Sequence, residues 1–237
     1  MSAPPLYARV ERELRARIAA GEWPPGAALP TEPALARRFG VSQGTLRRAL
    51  AALEAQRLIA RRQGAGTYVA EATSERALFH FFRVEDAAGR RPVPRSIAHR
   101  LDLRPASAEE RTLLALRPRA RVVALERLRL VEGRPAMLES IALPAARFRG
   151  FALPLHVELE DELYVHYQRR HGVTVLRVEE RLTAEPAPAE AARRLGCARG
   201  APLLAIRRLA YDALDRPVEL RRALLLTRGL AYGVELR

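Results

Sequence analysis

The chain of 237 residues has no lysine, a single cysteine and no apolar run long enough to cross a bilayer, and each absence narrows the readings open to it. A spanning helix needs about 20 consecutive apolar residues, so no helical membrane segment is expected. One cysteine, Cys197, cannot close an internal disulfide and is too little for a cysteine-based metal centre. A buried apolar thiol is the expectation for it. The opening Met1-Ser2-Ala3-Pro4-Pro5 lacks the basic and apolar regions of a signal peptide, which predicts a cytoplasmic protein. Every cation other than histidine is arginine; the absence of lysine tracks genomic base composition as readily as function and carries no functional weight.

What is present describes a folded chain. Hydrophobic residues make up 49% and charged residues 29%, and the length accommodates two modest cores, so two domains are expected. A net charge of +14 favours a polyanionic partner without specifying any sequence. The excess is spread: 11 arginines and 7 acids through Glu75 leave +4, and the remainder carries +10. Clustering is more telling, because seven arginines (37, 38, 47, 48, 57, 61 and 62) face the single acid Glu54 between Arg37 and Arg62.

That basic stretch has a structural signature. Val10, Leu14 and Ile18 recur every four positions, which predicts an amphipathic helix between Tyr7 and Gly21 that Pro24-Pro25-Gly26 terminates. Thr31 can cap a second helix that carries Pro33 in its first turn and Leu35 and Phe39 on one face, and Gly40 ends it. Ser42 is the expected N-cap of a third, striped by Leu46, Leu50 and Leu53. Two helices around a tight glycine turn make a helix-turn-helix. Gln43 and Arg47 lie four apart on the polar face of the third helix, flanked by Gly44 and Arg48 with Thr45 at its entrance. Such a donor-rich face can meet base edges and phosphates. Leu58–Gln63 and Gly66–Val69 then read as two short strands around Gly64-Ala65-Gly66, a wing. The plainer alternative is a three-helix structural domain with a solvated arginine face.

The segments Leu29-Pro30-Thr31-Glu32, Leu35 through Leu50 and Arg61 through Val69 carry a pattern that resembles the GntR family of bacterial transcription regulators, in order from Tyr7 to Val69. The resemblance implies DNA contacts from Ser42, Gln43, Thr45 and Arg47 on the recognition helix and from Gln63, Gly64 and Gly66 at the wing tip, with Thr31 and Arg48 completing the expected set. Pro33 and Gln43 depart from arginines common in the family, so the operator is not assumed to be the family's usual one.

Beyond a short polar stretch the character changes, and the expected organisation is a winged helix-turn-helix over 1–70, a linker over 71–79 and a second domain over 80–237. Strand-like runs at Arg95–Leu101, Arg121–Val131, Pro135–Leu143, Val173–Ala184, Pro202–Tyr211 and Pro217–Leu226 alternate with helical segments near Ser107–Ala115, Asp161–His171 and Pro188–Leu195. This is an α+β pattern, and turns at Gly133-Arg134 and Leu214-Asp215-Arg216 favour antiparallel hairpins. The runs Leu125–Arg129, Arg134-Pro135 followed by Glu139, Leu163-Tyr164, Gly172-Val173, Ala192–Gly196, Pro202–Leu204 and Arg216–Glu219 resemble the effector-binding (UTRA) domain of the histidine-utilisation-repressor subfamily. That resemblance implies a chorismate-lyase-like antiparallel sheet with helices, and pocket roles for Ser96, Arg127, Arg129, Glu139, Tyr164 and Glu219 towards a small polar or anionic metabolite.

Physically, Arg127 and Arg129 lie two apart on one strand and share a face, where two guanidiniums can grip a carboxylate or phosphate. Glu139 and Glu219 can receive ligand hydroxyls or amines, or neutralise those arginines as ordinary sheet pairing. Glu162 departs from a serine common in relatives and Leu225 from a common tyrosine. A carboxylate near the pocket repels a phosphate and suits an amine or a hydroxylated ligand better.

Catalysis finds little support. No nucleophile motif is present, and Glu179 and Glu180 point to opposite faces of a strand. His166 and His171, five apart, lie about 140° apart on a helix and make no two-ligand metal face. No cofactor or metal is expected. The reading is a homodimeric repressor of an inverted-repeat operator in double-stranded DNA, controlled by a metabolite and without a membrane partner. Its alternatives are a DNA-binding protein whose second domain only dimerises, and a lyase-like enzyme carrying a basic domain.

Overall fold

Val10, Leu14 and Ile18 are buried along one face of α1 (Leu6–Ala19), and that stripe is the floor on which the N-terminal half assembles. The computed structural model describes residues 4–234, Arg76 and Phe79 by their backbone alone; residues 1–3 and 235–237, the ends of the two expected domains, lie outside the described residues. Helix α2 (Glu32–Phe39) ends on Gly40, whose φ of 62° places it in the left-handed region that glycine enters without steric cost. Helix α3 (Gln43–Ala55) starts at Ser42, whose hydroxyl accepts the Thr45 amide at 3.2 Å. Thr31 occupies the N-cap position of α2, but its side chain makes no capping bond, so only the second of the two expected caps forms.

Leu14, Leu35, Leu46, Leu50 and Leu53 from the three helices meet Leu58, Ile59 and Val69 in one core. Burial of each such side chain contributes about 1.5–3 kcal/mol. Strands β1 (Ile59–Arg62) and β2 (Gly66–Val69) form the expected antiparallel wing, with Arg62 opposite Gly66. The stretch before α2 straps the wing down, Leu29 N donating to Thr67 O at 2.8 Å and Gly26 N to Val69 O at 3.0 Å.

The expected linker 71–79 is not an open connection. Most of it belongs to helix α4 (Ser74–Phe81), whose Ala77 is buried in the core of the second half. Strand β3 (Val84–Asp86) follows and pairs with the C-terminal strand β10 (Leu230–Tyr232).

The second half is a six-stranded antiparallel sheet of β4 (Arg95–Pro105), β5 (Arg121–Val131), β6 (Arg134–Pro144), β7 (Val175–Pro186), β8 (Pro202–Asp212) and β9 (Pro217–Leu225), in the order β4-β5-β6-β9-β8-β7. The β5–β6 turn takes left-handed φ values at Glu132 and Gly133, 50° and 76°, the geometry that suits the twist of a two-residue hairpin. Helices α5 (Ala108–Leu113), α6 (Leu163–His171) and α7 (Ala189–Leu195) complete the α+β architecture. Ser107 and Glu110 close a reciprocal capping box at the start of α5.

Helix α6 lies on the sheet with Leu163, Val165 and Tyr167 against Val123, Leu125, Ile141 and Val218. Along β5 the same face then changes from Val123 and Leu125 to Arg127 and Arg129, which carries charge into the interior. His166 and His171, expected to diverge, bring their ring centroids to 5.7 Å because both lean onto Phe151. Cys197 is half-buried beside the α7 cluster rather than fully enclosed.

The two halves touch at defined places. Ala213, in the β8–β9 turn, is buried in the winged-helix core. Asp212 fixes that turn by accepting the amides of Leu214 at 2.9 Å and Arg216 at 3.0 Å. Gln168 of α6 accepts the Ala72 amide at 2.7 Å and donates to the Ala70 carbonyl at 3.2 Å, holding the chain as it leaves the wing.

Candidate functional site

Two surfaces carry the chemistry. On α3, Gln43 and Arg47 are exposed on one face, as their spacing requires. Arg47 Nε donates to Glu32 Oε2 at 2.7 Å, so the first residue of α2 steadies the guanidinium on the exposed face of α3. Ser42 and Thr45 share a hydroxyl contact of 3.0 Å at the helix start and remain near the surface. The wing tip presents Gln63, Gly64 and Gly66 to solvent; Gly64 and Gly66 adopt φ values of 73° and 111°, where any side chain would be strained. Tyr68 braces the tip by donating to the Ala65 carbonyl at 3.0 Å. Arg48 is the exception within the expected set, for its guanidinium lies 4.0 Å over the Tyr7 ring of α1 and away from the Gln43–Arg47 face. Thr31 is exposed at the head of α2.

The second surface is a small cavity of about 30 Å³ beneath α4 and α6. Arg127, Arg129, Glu139 and Tyr164 line it, as do Glu162, Glu180, Arg208, Arg221 and Tyr232. Glu139 is the hub. Its carboxylate accepts Arg127 Nε at 2.5 Å, Arg221 Nη1 at 2.8 Å and Arg129 Nε at 3.4 Å. Burial works to raise its pKa, but Arg127, Arg221 and Arg129 override that and hold the carboxyl well below the usual range.

Ser96 and Glu219, also expected in the pocket, do not line the cavity. Glu219 lies behind it, accepting Arg221 Nε at 2.9 Å, Tyr164 at 3.1 Å and Tyr167 at 2.7 Å, so its lone pairs are spent on the wall. Burial and the charge of Glu219 push the Tyr164 hydroxyl up to about 12, keeping it a donor. Ser96 faces Arg129 across the β4–β5 ladder and its hydroxyl has no hydrogen-bond partner among the described residues.

The accounting of donors identifies the working end. Arg127 is fully buried, yet Nη1 and Nη2 have no hydrogen-bond partner among the described residues, and neither has Nη1 of Arg129. Buried donors are rarely left unmade, so a concentration of them on two adjacent guanidiniums marks a place for an acceptor. Burial first, then the charge of Arg129, lowers the Arg127 pKa, and an incoming negative group would relieve that strain. Glu162, at the N-cap of α6, supplies one partner: it accepts Arg129 Nη2 at 2.5 Å and approaches Arg127 Nη1 to 3.9 Å.

The approach to the winged helix forms one wall. Arg208 Nη2 donates to the Phe81 carbonyl at 2.5 Å, the Phe82 ring lies under Arg129 at 4.9 Å, and the Phe81 ring meets Tyr164 edge-on at 5.0 Å. Neither Arg208 nor Arg221 was anticipated from the sequence. The signal was available in the alternation of β9, which puts Arg221 on the same face as Glu219, and in the ladder, which puts Arg208 opposite Arg221.

Comparison with known proteins agrees with both halves. Residues 6–69 match the family described as bacterial regulatory proteins, gntR family, and residues 89–228 match the UTRA domain. The chain is 30% identical over 208 residues to the HTH-type transcriptional repressor NagR of Bacillus subtilis, an alignment spanning 87% of this chain and 84% of that one. It is 32% identical over 213 residues to the histidine utilization repressor of Pseudomonas putida, across 88% and 83% of the two chains. Among solved structures, PhnF from Mycobacterium smegmatis superposes with a TM-score of 0.57 at 25% identity, covering 96% of this chain and 99% of that chain. The two matched repressors and the matched regulatory family set aside the lyase-like enzyme. With a helix-turn-helix at one end and a cavity of unpartnered arginine donors at the other, the chain belongs to the GntR family of bacterial regulatory proteins and is a DNA-binding transcriptional repressor with a UTRA effector-binding domain.

Proposed function

We propose that two copies of this chain pair through their second domains, residues 80–237, and place two α3 helices on the half-sites of an inverted repeat. A single winged helix of residues 1–70 buries little DNA surface, and a two-fold dimer doubles the interface while matching a palindrome. Ser42, Gln43, Thr45 and Arg47 read or anchor the groove, Gln63, Gly64 and Gly66 meet the flanking backbone, and Thr31 and Arg48 contribute from the periphery. Such a protein works where the chromosome is, in the cytoplasm.

A small polar or anionic metabolite enters the cavity and binds Arg127 and Arg129, with Glu139 fixing the two guanidiniums, Tyr164 lining the cavity, and Ser96 and Glu219 as the remaining members of the expected set. The observation that carries this reading is the set of unpartnered N–H groups on Arg127 and Arg129. Because α4 walls the same cavity, ligand contact there biases the orientation of the winged helices, by no more than the ligand's difference in affinity for the two arrangements. Selection of bound sequences from a random DNA pool at near-physiological salt tests the first half. Recovery of a palindrome supports it, whereas recovery of no preference refutes it. A metabolite screen on the selected operator tests the second, since the active compound must lose its effect with Arg129→Met while DNA affinity persists.

A further inference from the structure

The hydrogen bonds of the cavity are unevenly spent, and the imbalance describes a ligand. Glu139 uses both oxygens on arginines, and Glu180 gives one oxygen to Arg208 at 2.7 Å and the other to the Tyr232 hydroxyl. Two features remain open. One is the donor pair of Arg127 and Arg129, three terminal nitrogens without a hydrogen-bond partner among the described residues. The other is Glu162, whose Oε2 is held by Arg129 at 2.5 Å while its Oε1 takes part in no hydrogen bond among the described residues. Glu162 Oε2 lies 3.9 Å from Arg127 Nη1, so this carboxylate and the open donors stand side by side in the cavity lining.

We propose that the effector is a small zwitterion of the amino-acid type, its carboxylate on Arg127 and Arg129 and its ammonium on Glu162. This deepens the effector-pocket reading above and rests on it. A carboxylate supplies the planar pair of acceptors that guanidinium N–H groups fit, and an ammonium a few bonds away supplies the donors that Glu162 lacks. Phe81 and Tyr232 also line the cavity, and ring faces favour a cation over a second anion; those of Phe82 and Tyr164 already carry Arg129 and Arg221. A dianion of the same size must either displace Glu162 from Arg129 or stand beside its charge, a repulsive element that separates the two classes.

The test uses the full chain and three probes of equal length, β-alanine, β-hydroxypropionate and malonate, which differ only in carrying an ammonium, a hydroxyl or a second carboxylate at one end. Binding is followed by titration calorimetry and thermal shift at millimolar concentrations for the unaltered protein and for Glu162→Gln, a substitution at a partly exposed helix cap. The unaltered protein is expected to bind β-alanine about tenfold or more tightly than malonate, and Glu162→Gln to reverse that order. Malonate binding as well as β-alanine, an order unchanged in Glu162→Gln, or the absence of binding by all three probes overturns the proposal. If malonate wins and its binding is abolished by Arg129→Met, the cavity stands as an anion site and only the zwitterion falls. If no probe's binding depends on Arg129, the effector-pocket reading falls with it.

Discussion

Replacing Glu139 with glutamine isolates the charge at the centre of the cavity without changing its shape. The carboxylate is contacted by Arg127 at 2.5 Å, Arg221 at 2.8 Å and Arg129 at 3.4 Å, and all four side chains are at most 5% exposed. Removing one partner of a buried ion pair costs about 3–5 kcal/mol, because the remaining charge is left unpaired in a poorly polarisable interior. Arg129 and Arg221 retain Glu162 at 2.5 Å and Glu219 at 2.8 Å, whereas Arg127 keeps only Glu162 at 3.9 Å. Glutamine also preserves one acceptor, so the lower end of the range, about 3 kcal/mol, is expected. For a chain of this size that corresponds to a fall in Tm of about 6–12 °C.

Urea unfolding followed by circular dichroism is the suitable assay, since the single tryptophan, Trp23, packs against the winged-helix core and reports on the other half. Sulfate should recover more stability in Glu139→Gln than in the unaltered protein, because a bound anion would replace the missing charge. Joint replacement of the pair by Arg127→Met and Glu139→Leu should come within about 1 kcal/mol of the original, as apolar substitutes for buried pairs commonly do. A Glu139→Gln protein within about 1 kcal/mol of the original, with no added response to sulfate, would refute the view that this carboxylate balances the three guanidiniums.

Other expectations follow from the same geometry. Arg47→Ala should weaken specific operator binding by about 1–3 kcal/mol with the melting temperature unchanged, read by fluorescence anisotropy; equal affinity would remove Arg47 from the interface. Glu32→Gln frees Arg47 from its 2.7 Å partner and should raise affinity for DNA at low salt more than at high salt. Gln168→Leu should leave effector binding intact while reducing the effect of effector on DNA affinity, because it deletes both bonds to the backbone around Ala72. Burial lowers the pKa of His166 and of His171, so the fold favours their neutral forms. Stability is then fully present above the unfolded value of about 6.5 and declines as pH falls from there through the lowered folded values, a slope that a double His166→Asn, His171→Asn protein should flatten in a Tm series.

The elements legible in the sequence were those with a strong period or a strong stop. The leucine stripe of α3 and its Ser42 cap appear as read, and β5 runs over the same residues, Arg121–Val131, that its alternation marked. Helix α4 was missed because Ser74–Phe81 follows a polar stretch and, although its two faces differ as clearly as those of α2, it has no proline in its first turn and no glycine stop to mark its ends. Strands β3 and β10, three residues each, are too brief to show a period and exist because they pair with each other from opposite ends of the second half of the structure. Within the cavity, Arg127, Arg129 and Glu139 came from the family resemblance, and the two arginines had physical support as well, since they lie two apart on one strand and share a face. Ser96 and Glu219 came from the same resemblance but do not line the cavity, since a motif marks a position and not its depth.

Gln168 has a consequence for anyone who would recombine this protein with a relative. Its side chain spans the chain between Ala70 and Ala72, and Ser74, two residues beyond, donates to Asp161 and accepts the Glu162 amide. The stretch from Ala70 to Phe82 is therefore written mostly in the vocabulary of α6 and the sheet, with Ala70 donating to the Leu58 carbonyl and His80 meeting Arg57 as ties to the winged helix. A hybrid regulator cut after Val69 would carry its transmission with the sensing half and could accept a foreign reading head, whereas one cut after Phe82 would inherit a connector addressed to a helix that is no longer there.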